Sequence, residues 1–262
     1  MDILDMLAPL TALGLGPIAI AAGVFTRIST MVFFLPGLGE KAVATRIRLG
    51  AAFAIALVLT PIVLAQKPVA PETVSGLVMT IAAEAVAGAL IGFAIRIGIF
   101  VIETAGAIAS QSQSLSQLFT GGLNATPETP IASLFVFAAI AVALSTGLHF
   151  KAVAALAYSY DVMPFGVFPG AGDAGQWAAD RTAFAFSAAL ALALPFVMLG
   201  FIYNLAIGAA NRAMPQLMVA FVGAPAVTLA GLVLLALTTP LLLGSWMSLV
   251  DGILRDLLGL AQ

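Results

Sequence analysis

Cysteine is absent from the 262 residues, histidine occurs once, and only 8% of the chain is charged. Without cysteine there is no disulfide, thiolate metal site or cysteine nucleophile, and one histidine cannot supply the paired-histidine ligand sets of common zinc sites. Ten basic and twelve acidic residues give a net charge of −2, far from the clustered Lys/Arg face that nucleic-acid binding requires, so no nucleic-acid partner is expected. Motifs for chemistry are missing as well: no phosphate loop, no His-Glu-x-x-His helix, no Gly-x-Ser-x-Gly elbow and no dinucleotide fingerprint occurs. His149, close to Lys151, reads as a structural histidine at a helix end rather than a pH sensor. The expectation is a protein that is not an enzyme and carries neither cofactor nor metal.

What the chain has in abundance is apolar sequence. Hydrophobic residues make up 62% of it, against roughly 45–50% in soluble domains. A helix needs about 20 mostly apolar residues to cross a bilayer, and six stretches qualify: about 6–35, 49–65, 74–102, 131–159, 182–210 and 216–243. The runs are continuous, as in Leu49 to Ala65, whereas barrel strands alternate in polarity over roughly ten residues. The fold class is therefore all-α: a single membrane-embedded domain over 1–262, with about six long apolar helices arranged as kinked hairpins. The first basic residue is Arg27, so the cationic start of a cleaved signal peptide is missing and the first apolar segment is expected to stay. The tail from about Ser245 to Leu260 sets Trp246, Leu249, Ile253, Leu257 and Leu260 at spacings of three and four, predicting a separate C-terminal amphipathic helix.

The connections are short except for 103–130 and 160–181, and neither is long enough for an independent domain. The first carries Lys41, Arg46 and Arg48, and the positive-inside bias puts it in the cytoplasm with the N-terminus outside. Within or beside the apolar segments, charges are few and therefore informative. Glu84, Arg96 and Glu103 mark the third segment; Arg96 and Glu103, seven apart, share a face, while Glu84 lies on another. They read as helix contacts in preference to a proton relay. Gly88 and Gly92 form a Gly-xxx-Gly pair that permits close helix approach. Asn204, Gly208 and Asn211 follow one stripe ahead of Arg212 and Pro215, where two helices turn back, and Gly223 and Pro225 are expected to interrupt the second of them. Ser110 to Gln117 is a run of uncharged polar residues; followed by Phe119, Gly121, Gly122 and Pro127, it reads as a helix dissolving into an irregular loop next to water.

These residues together resemble a known family, that of the FliR membrane subunit of the type III export gate. The most specific stretch runs from Asn204 to Pro225, Asn-Leu-Ala-Ile-Gly-Ala-Ala-Asn-Arg-Ala-Met-Pro-Gln-Leu-Met-Val-Ala-Phe-Val-Gly-Ala-Pro, similar to the family's hairpin with its Asn-Arg-x-x-Pro-Gln turn. Arg27-Ile-Ser, Pro36 with Gly39-Glu40-Lys41, Arg46-Ile-Arg-Leu-Gly50, Glu84 with Gly88 and Gly92, Gly147-x-His149 and Pro164-Phe-Gly166 support it. The resemblance implies a subunit that co-assembles with FliP-like and FliQ-like subunits in the bacterial inner membrane, in the flagellar basal body, to form a pore for unfolded export substrates. It also implies that the loop after the third apolar segment, here about Gln111 to Thr126 with Gln113, Leu115, Leu118 and Phe119, plugs the closed pore. This chain departs from the family pattern there, with Gln-Ser-Gln-Ser-Leu-Ser and then Thr-Pro-Glu. Glu84, Gly88, Gly92, Asn204, Gly208, Asn211, Arg212, Pro215, Gly223 and Pro225 would serve assembly and helix packing. Lys41, Arg46 and Arg48 would face the FlhB- and FlhA-type gate subunits. The competing reading is a secondary transporter with a midplane polar site built from Glu84, Arg96 and Asn204; no inverted repeat between the halves supports it.

Overall fold

Apolar sequence in a bilayer must satisfy its backbone polar groups internally, which leaves the helix as the available element for continuous apolar runs. The computed structural model describes residues 16–40, 43–118, 130–213 and 219–257. Among the described residues there is no strand; the elements are α1 (Gly16–Phe34), α2 (Thr45–Ala65), α3 (Val74–Leu118), α4 (Pro130–Ser145), α5 (Leu148–Val162), α6 (Ala171–Ala213) and α7 (Val219–Leu257). Five of them, α1, α2, α3, α6 and α7, are long and apolar enough to cross a membrane, and α4 with α5 makes a sixth span if the broken pair counts as one. The chain is an all-α polytopic membrane protein.

The helices run past the ends of the apolar segments, and each departure has a local cause. The third segment does not end near residue 102, nor does Ser110 to Gln117 dissolve into a loop: α3 is helical to Leu118. The serines satisfy themselves inside the helix, Ser110 Oγ donating to Gly106 O at 2.8 Å and Ser112 Oγ lying 2.7 Å from Ala109 O, so they do not compete with the ladder. Half of the expected 160–181 loop is also helix. The stretch from Ala171 has helix formers, Asp173 in the first turn where the helix dipole favours an acid, and a Gln176 to Asp180 hydrogen bond at 3.1 Å. The predicted fourth span is two helices instead of one. Gly147, at φ +77°, sits in the left-handed region and starts α5 anew, a conformation that glycine adopts without strain.

At the other end, the expected separate amphipathic tail is the continuation of α7, which runs unbroken through Gly244 and Ser245 to Leu257. The backbone is likewise helical through Gly223 and Pro225, so neither interrupts it, and Pro195 lies inside α6. Val250, Ile253 and Leu254 are the buried residues of the last turns, with Leu249 half-exposed, which rotates the buried stripe by one position from the predicted one. Leu260 lies outside the described residues.

The chain forms two packed units. The first comprises residues 1–97, 144–181 and 250–262. Its core takes Val24, Ile28 and Met31 from α1, Ala52, Leu59 and Val63 from α2, Ala83, Ala87 and Ile91 from α3, and Ala152, Ala155 and Leu156 from α5. Phe25 and Phe53 meet edge to face at 6.5 Å between α1 and α2. Ion pairs Lys151–Asp251 at 2.7 Å and Arg181–Asp256 at 2.9 Å hold the final turns of α7 to α5 and α6. The second unit comprises residues 98–143 and 182–249. Here Ile102, Ala105 and Ala109 of α3, Phe135 and Ala139 of α4, and Ala189, Ala193 and Phe196 of α6 are buried. Trp246 of α7, fully buried, donates its indole N–H to the Gly98 carbonyl at 2.6 Å, giving that large apolar ring a satisfied polar edge.

Close helix approach in the first unit depends on Gly88. A Cβ at that position would overlap the Arg27 carbonyl oxygen and Thr30 Oγ1 of α1, whereas a Cβ at Gly50 in α2 would meet nothing within 4 Å. Gly88→Ala should therefore destabilise the detergent-purified protein by about 1–3 kcal/mol through overpacking. Gly50→Ala should be neutral or stabilise by up to about 1 kcal/mol. Thermal denaturation compares the two, and equal behaviour would show that the α1–α3 approach is not tight.

Candidate functional site

The charged residues of the first unit do not form an open polar site; they close on one another. Arg27 of α1 and Glu84 of α3 are both completely buried. The guanidinium grips the carboxylate through two bonds of 2.8 Å, Nε to Oε2 and Nη2 to Oε1, the fork geometry that makes arginine pairs strong. Its remaining donors are used within the chain: Nη1 donates to Ser159 Oγ and Nη2 to the Met163 carbonyl, each at 3.0 Å. Glu84 in turn accepts the Gly166 N–H at 2.9 Å and, more distantly, the Tyr160 hydroxyl at 3.4 Å. The Tyr160 ring lies under the guanidinium, 3.9 Å from centroid to carbon, adding a cation–π contact.

Local sequence delivers each group. Gly166 takes φ +74°, which turns the Pro164-Phe165-Gly166 corner so that its N–H faces Glu84. A Cβ at Gly23, on the α1 turn before Arg27, would press on the Phe165 ring at 2.8 Å. Four segments, α1, α3, α5 and the 163–166 corner, thus converge on one neutral pair. Both carboxylate oxygens are taken by donors of the chain itself, so the arrangement is a staple between helices and not a binding site.

Arg96 is bound elsewhere in the same unit, to Glu40 at 2.9 Å with both side chains about a third exposed. Arg48 donates to the Glu40 backbone carbonyl and lies over the Phe33 ring at 5.5 Å, so two arginines pin the turn that follows α1. Arg46 is exposed at the start of α2, and Lys41 lies outside the described residues. Glu103 has its side chain exposed on α3.

In the second unit the end of α3 is seated on α6. Ser112 Oγ lies 3.1 Å from the Phe196 carbonyl, and a Cβ at Gly200 would overlap the Ser112 backbone oxygen. Gln113, Leu115 and Leu118 follow as the last helical residues of α3, and Phe119 lies outside the described residues. Further along α6, Asn204, Gly208, Asn211 and Arg212 are exposed, and a Cβ at Gly208 would meet nothing within 4 Å. Gly223 of α7 is buried against α6, where a Cβ would overlap the Tyr203 hydroxyl and come within 2.7 Å of Ile207 Cδ1. Gly92 is covered by the Phe34 ring at 2.8 Å. Pro215 lies outside the described residues. Among the described residues no group of three or more His, Asp or Glu is placed to hold a metal.

This constellation has relatives. The sequence model of bacterial export proteins, family 1, matches residues 18–253. The chain belongs to that family. It is 34% identical over 222 residues to the flagellar biosynthetic protein FliR of Caulobacter vibrioides, covering 84% of this chain and 88% of that protein. Flagellar biosynthetic proteins FliR of Pectobacterium carotovorum and Escherichia coli K12 are 27% and 26% identical, with 83% and 82% of this chain covered and the same shares of each relative. Membership in the FliR family gives this membrane protein a role in flagellar export. The match takes in Arg27, Glu84 and the 159–166 segment as well as the α6–α7 hairpin. Sequence reasoning noted Arg27 and the Pro164-Phe-Gly166 corner only as pieces of the resemblance. The available signal was that Arg27 is the one charge inside the first apolar segment, which obliges a partner.

Removing one member of a buried ion pair leaves an uncompensated charge at a cost of about 3–5 kcal/mol, whereas replacing both with apolar residues is far milder. Arg27→Met and Glu84→Leu should each lower stability by about that amount, and the double variant should recover a large part of it. Thermal denaturation in detergent is the measurement; losses that simply add in the double variant would show that the two side chains do not depend on each other.

Proposed function

We propose that the protein is a subunit of the flagellar type III export gate, assembling with FliP-like and FliQ-like subunits in the bacterial inner membrane around a pore for unfolded flagellar proteins. The observation that carries this reading is the exposed face of α6. Asn204, Gly208 and Asn211 stand exposed among Phe201, Ile202 and Leu205, which are also exposed at about 60%. Asparagine side chains on an apolar helix are poorly served by lipid tails and well served by another helix, against which a glycine permits close approach. α2 and α7 likewise turn outward Phe53, Leu57 and Val58, and Leu229, Val233, Leu237 and Leu241. Such surface suits sister helices and lipid together. Arg46 and Arg48, with Lys41, form the charged end that would face FlhB- or FlhA-type subunits in the cytoplasm.

The chain that follows Ser112 closes the pore in this reading. Leu115, Leu118 and Phe119 supply apolar side chains, and a short apolar constriction stops ions by excluding water. Serines and glutamines around them carry no charge, so they would hold no passing polypeptide tightly. A polypeptide entering the pore displaces the segment, and its departure lets the segment return.

Deleting Gln113 to Asn124 should raise leakage of small solutes through assembled gates, measured as solute influx in cells that produce the complete apparatus; permeability equal to that of the intact protein would remove the plug. Purification in mild detergent should yield a heteromeric complex with two smaller hydrophobic subunits, and a monodisperse monomer by mass measurement would remove the assembly.

A further inference from the structure

The plug reading leaves open where the moving part of α3 begins, and the second unit marks a place. Along α3, Ala105, Ala109 and Ser112 succeed one another at intervals of four and three, and along α6 so do Ala189, Ala193, Phe196 and Gly200; the alanines and Phe196 are buried, as is Gly200. Each series keeps to one side of its helix. They meet at their ends, where the Ser112 main chain fits against Gly200 so tightly that a Cβ there would overlap the carbonyl oxygen and stand 3.3 Å from the Ser112 Cβ. The Ser112 hydroxyl lies between Ala109 O of its own helix at 2.7 Å and Phe196 O of α6 at 3.1 Å, so its one proton is shared across the two helices. Phe196, fully buried, is itself fixed edge to face on Phe135 of α4 at 5.9 Å and 82°.

We propose that Ser112 and Gly200 are the fixed root of the gating segment: α3 remains clamped to α6 up to Ser112 in both the closed and the open gate, and the opening movement is confined to the chain beyond it. This inference rests on the reading of residues 113–126 as the plug. Its physical basis is that a tightly packed helix contact does not deform continuously, so a movable segment bends where the packing ends. Ser112 and Gly200 are positioning residues, acting through the segment they hold.

The chain has no cysteine, so a single introduced thiol reports on one position. Ser112→Cys and Leu115→Cys, each in the full assembled apparatus, are treated with a water-soluble maleimide in resting cells and in cells whose export is stalled on a substrate fused to a domain that cannot unfold. The labelling rate at position 112 should be the same in both states, while that at 115 changes several-fold. A rate at 112 that changes in step with 115 overturns the fixed root. In parallel, Gly200→Val at normal membrane abundance should leak solute as the Gln113–Asn124 deletion does, and Ser112→Ala less. A leaking deletion beside a tight Gly200→Val overturns the root and leaves the plug standing. A tight deletion with unchanged labelling at 115 overturns the plug, and the root with it. Should Gly200→Val fail to accumulate, the labelling comparison decides alone.

Discussion

A buried arginine and glutamate, 2.8 Å apart and without exposed surface, set the arrangement of the first unit. Each charge alone would cost several kcal/mol away from water, so helices α1 and α3 can pack at this depth only in the register that joins them. That requirement propagates. Gly88 must be small so that α1 can come close enough, Gly166 must turn its N–H inward, and Ser159, Met163 and Tyr160 must arrive from α5 and its C-terminal corner to use the donors and face that the pair leaves over. An apolar core of Val, Ile and Ala tolerates sliding by a residue or a turn, because one aliphatic surface resembles the next. A bidentate pair with four further partners does not, and it gives the first unit a single solution.

The same economy explains which parts of the fold were legible in the sequence. Apolar run length located the spans, and the Ser and Gln run, Pro195, Gly223 and Pro225 were expected to end or bend helices. They do neither: α3 continues to Leu118, and the backbone is helical through Pro195, Gly223 and Pro225. Polarity marks where a helix leaves the hydrocarbon and not where it ends, since serine can return its hydroxyl to the preceding turn. Gly147 was the one true break, and its left-handed φ is a property of the backbone that a composition count does not register. At the site, Glu84 was legible as an anomaly within an apolar segment. Its partner was not, because fifty-seven residues separate it from Arg27 and no periodicity links two different helices.

The two units handle polar groups differently. In the first, charges are neutralised inside the chain, and the exposed face of α2 is aliphatic and aromatic. In the second, the polar groups of α6 beyond Gly200 are turned outward: Asn204, Asn211 and Arg212 are exposed, on a helix too apolar to belong in water. A membrane helix that keeps amides outward requires another protein surface to complete it. A protein with a flagellar export role and such a face is a component, and its 62% hydrophobic content measures contact with other helices as well as with lipid.

The end of α3 shows how the fold could combine rigidity with movement. Up to Ser112 the helix is lined by alanines and seated on Gly200, a contact with no flexible side chain between the backbones to absorb a displacement. After it come long, unbranched or small side chains, Gln, Ser and Leu, which lose little in any one environment. A gate segment needs a firm base, so that closure returns to the same position, and a free part that holds its closed position only by apolar contact, so that a polypeptide can push it aside. Both requirements are met within one helix by changing the size of its side chains. The uncharged polar run that follows Ala109 is therefore best understood as the boundary between the packed and the movable parts of α3.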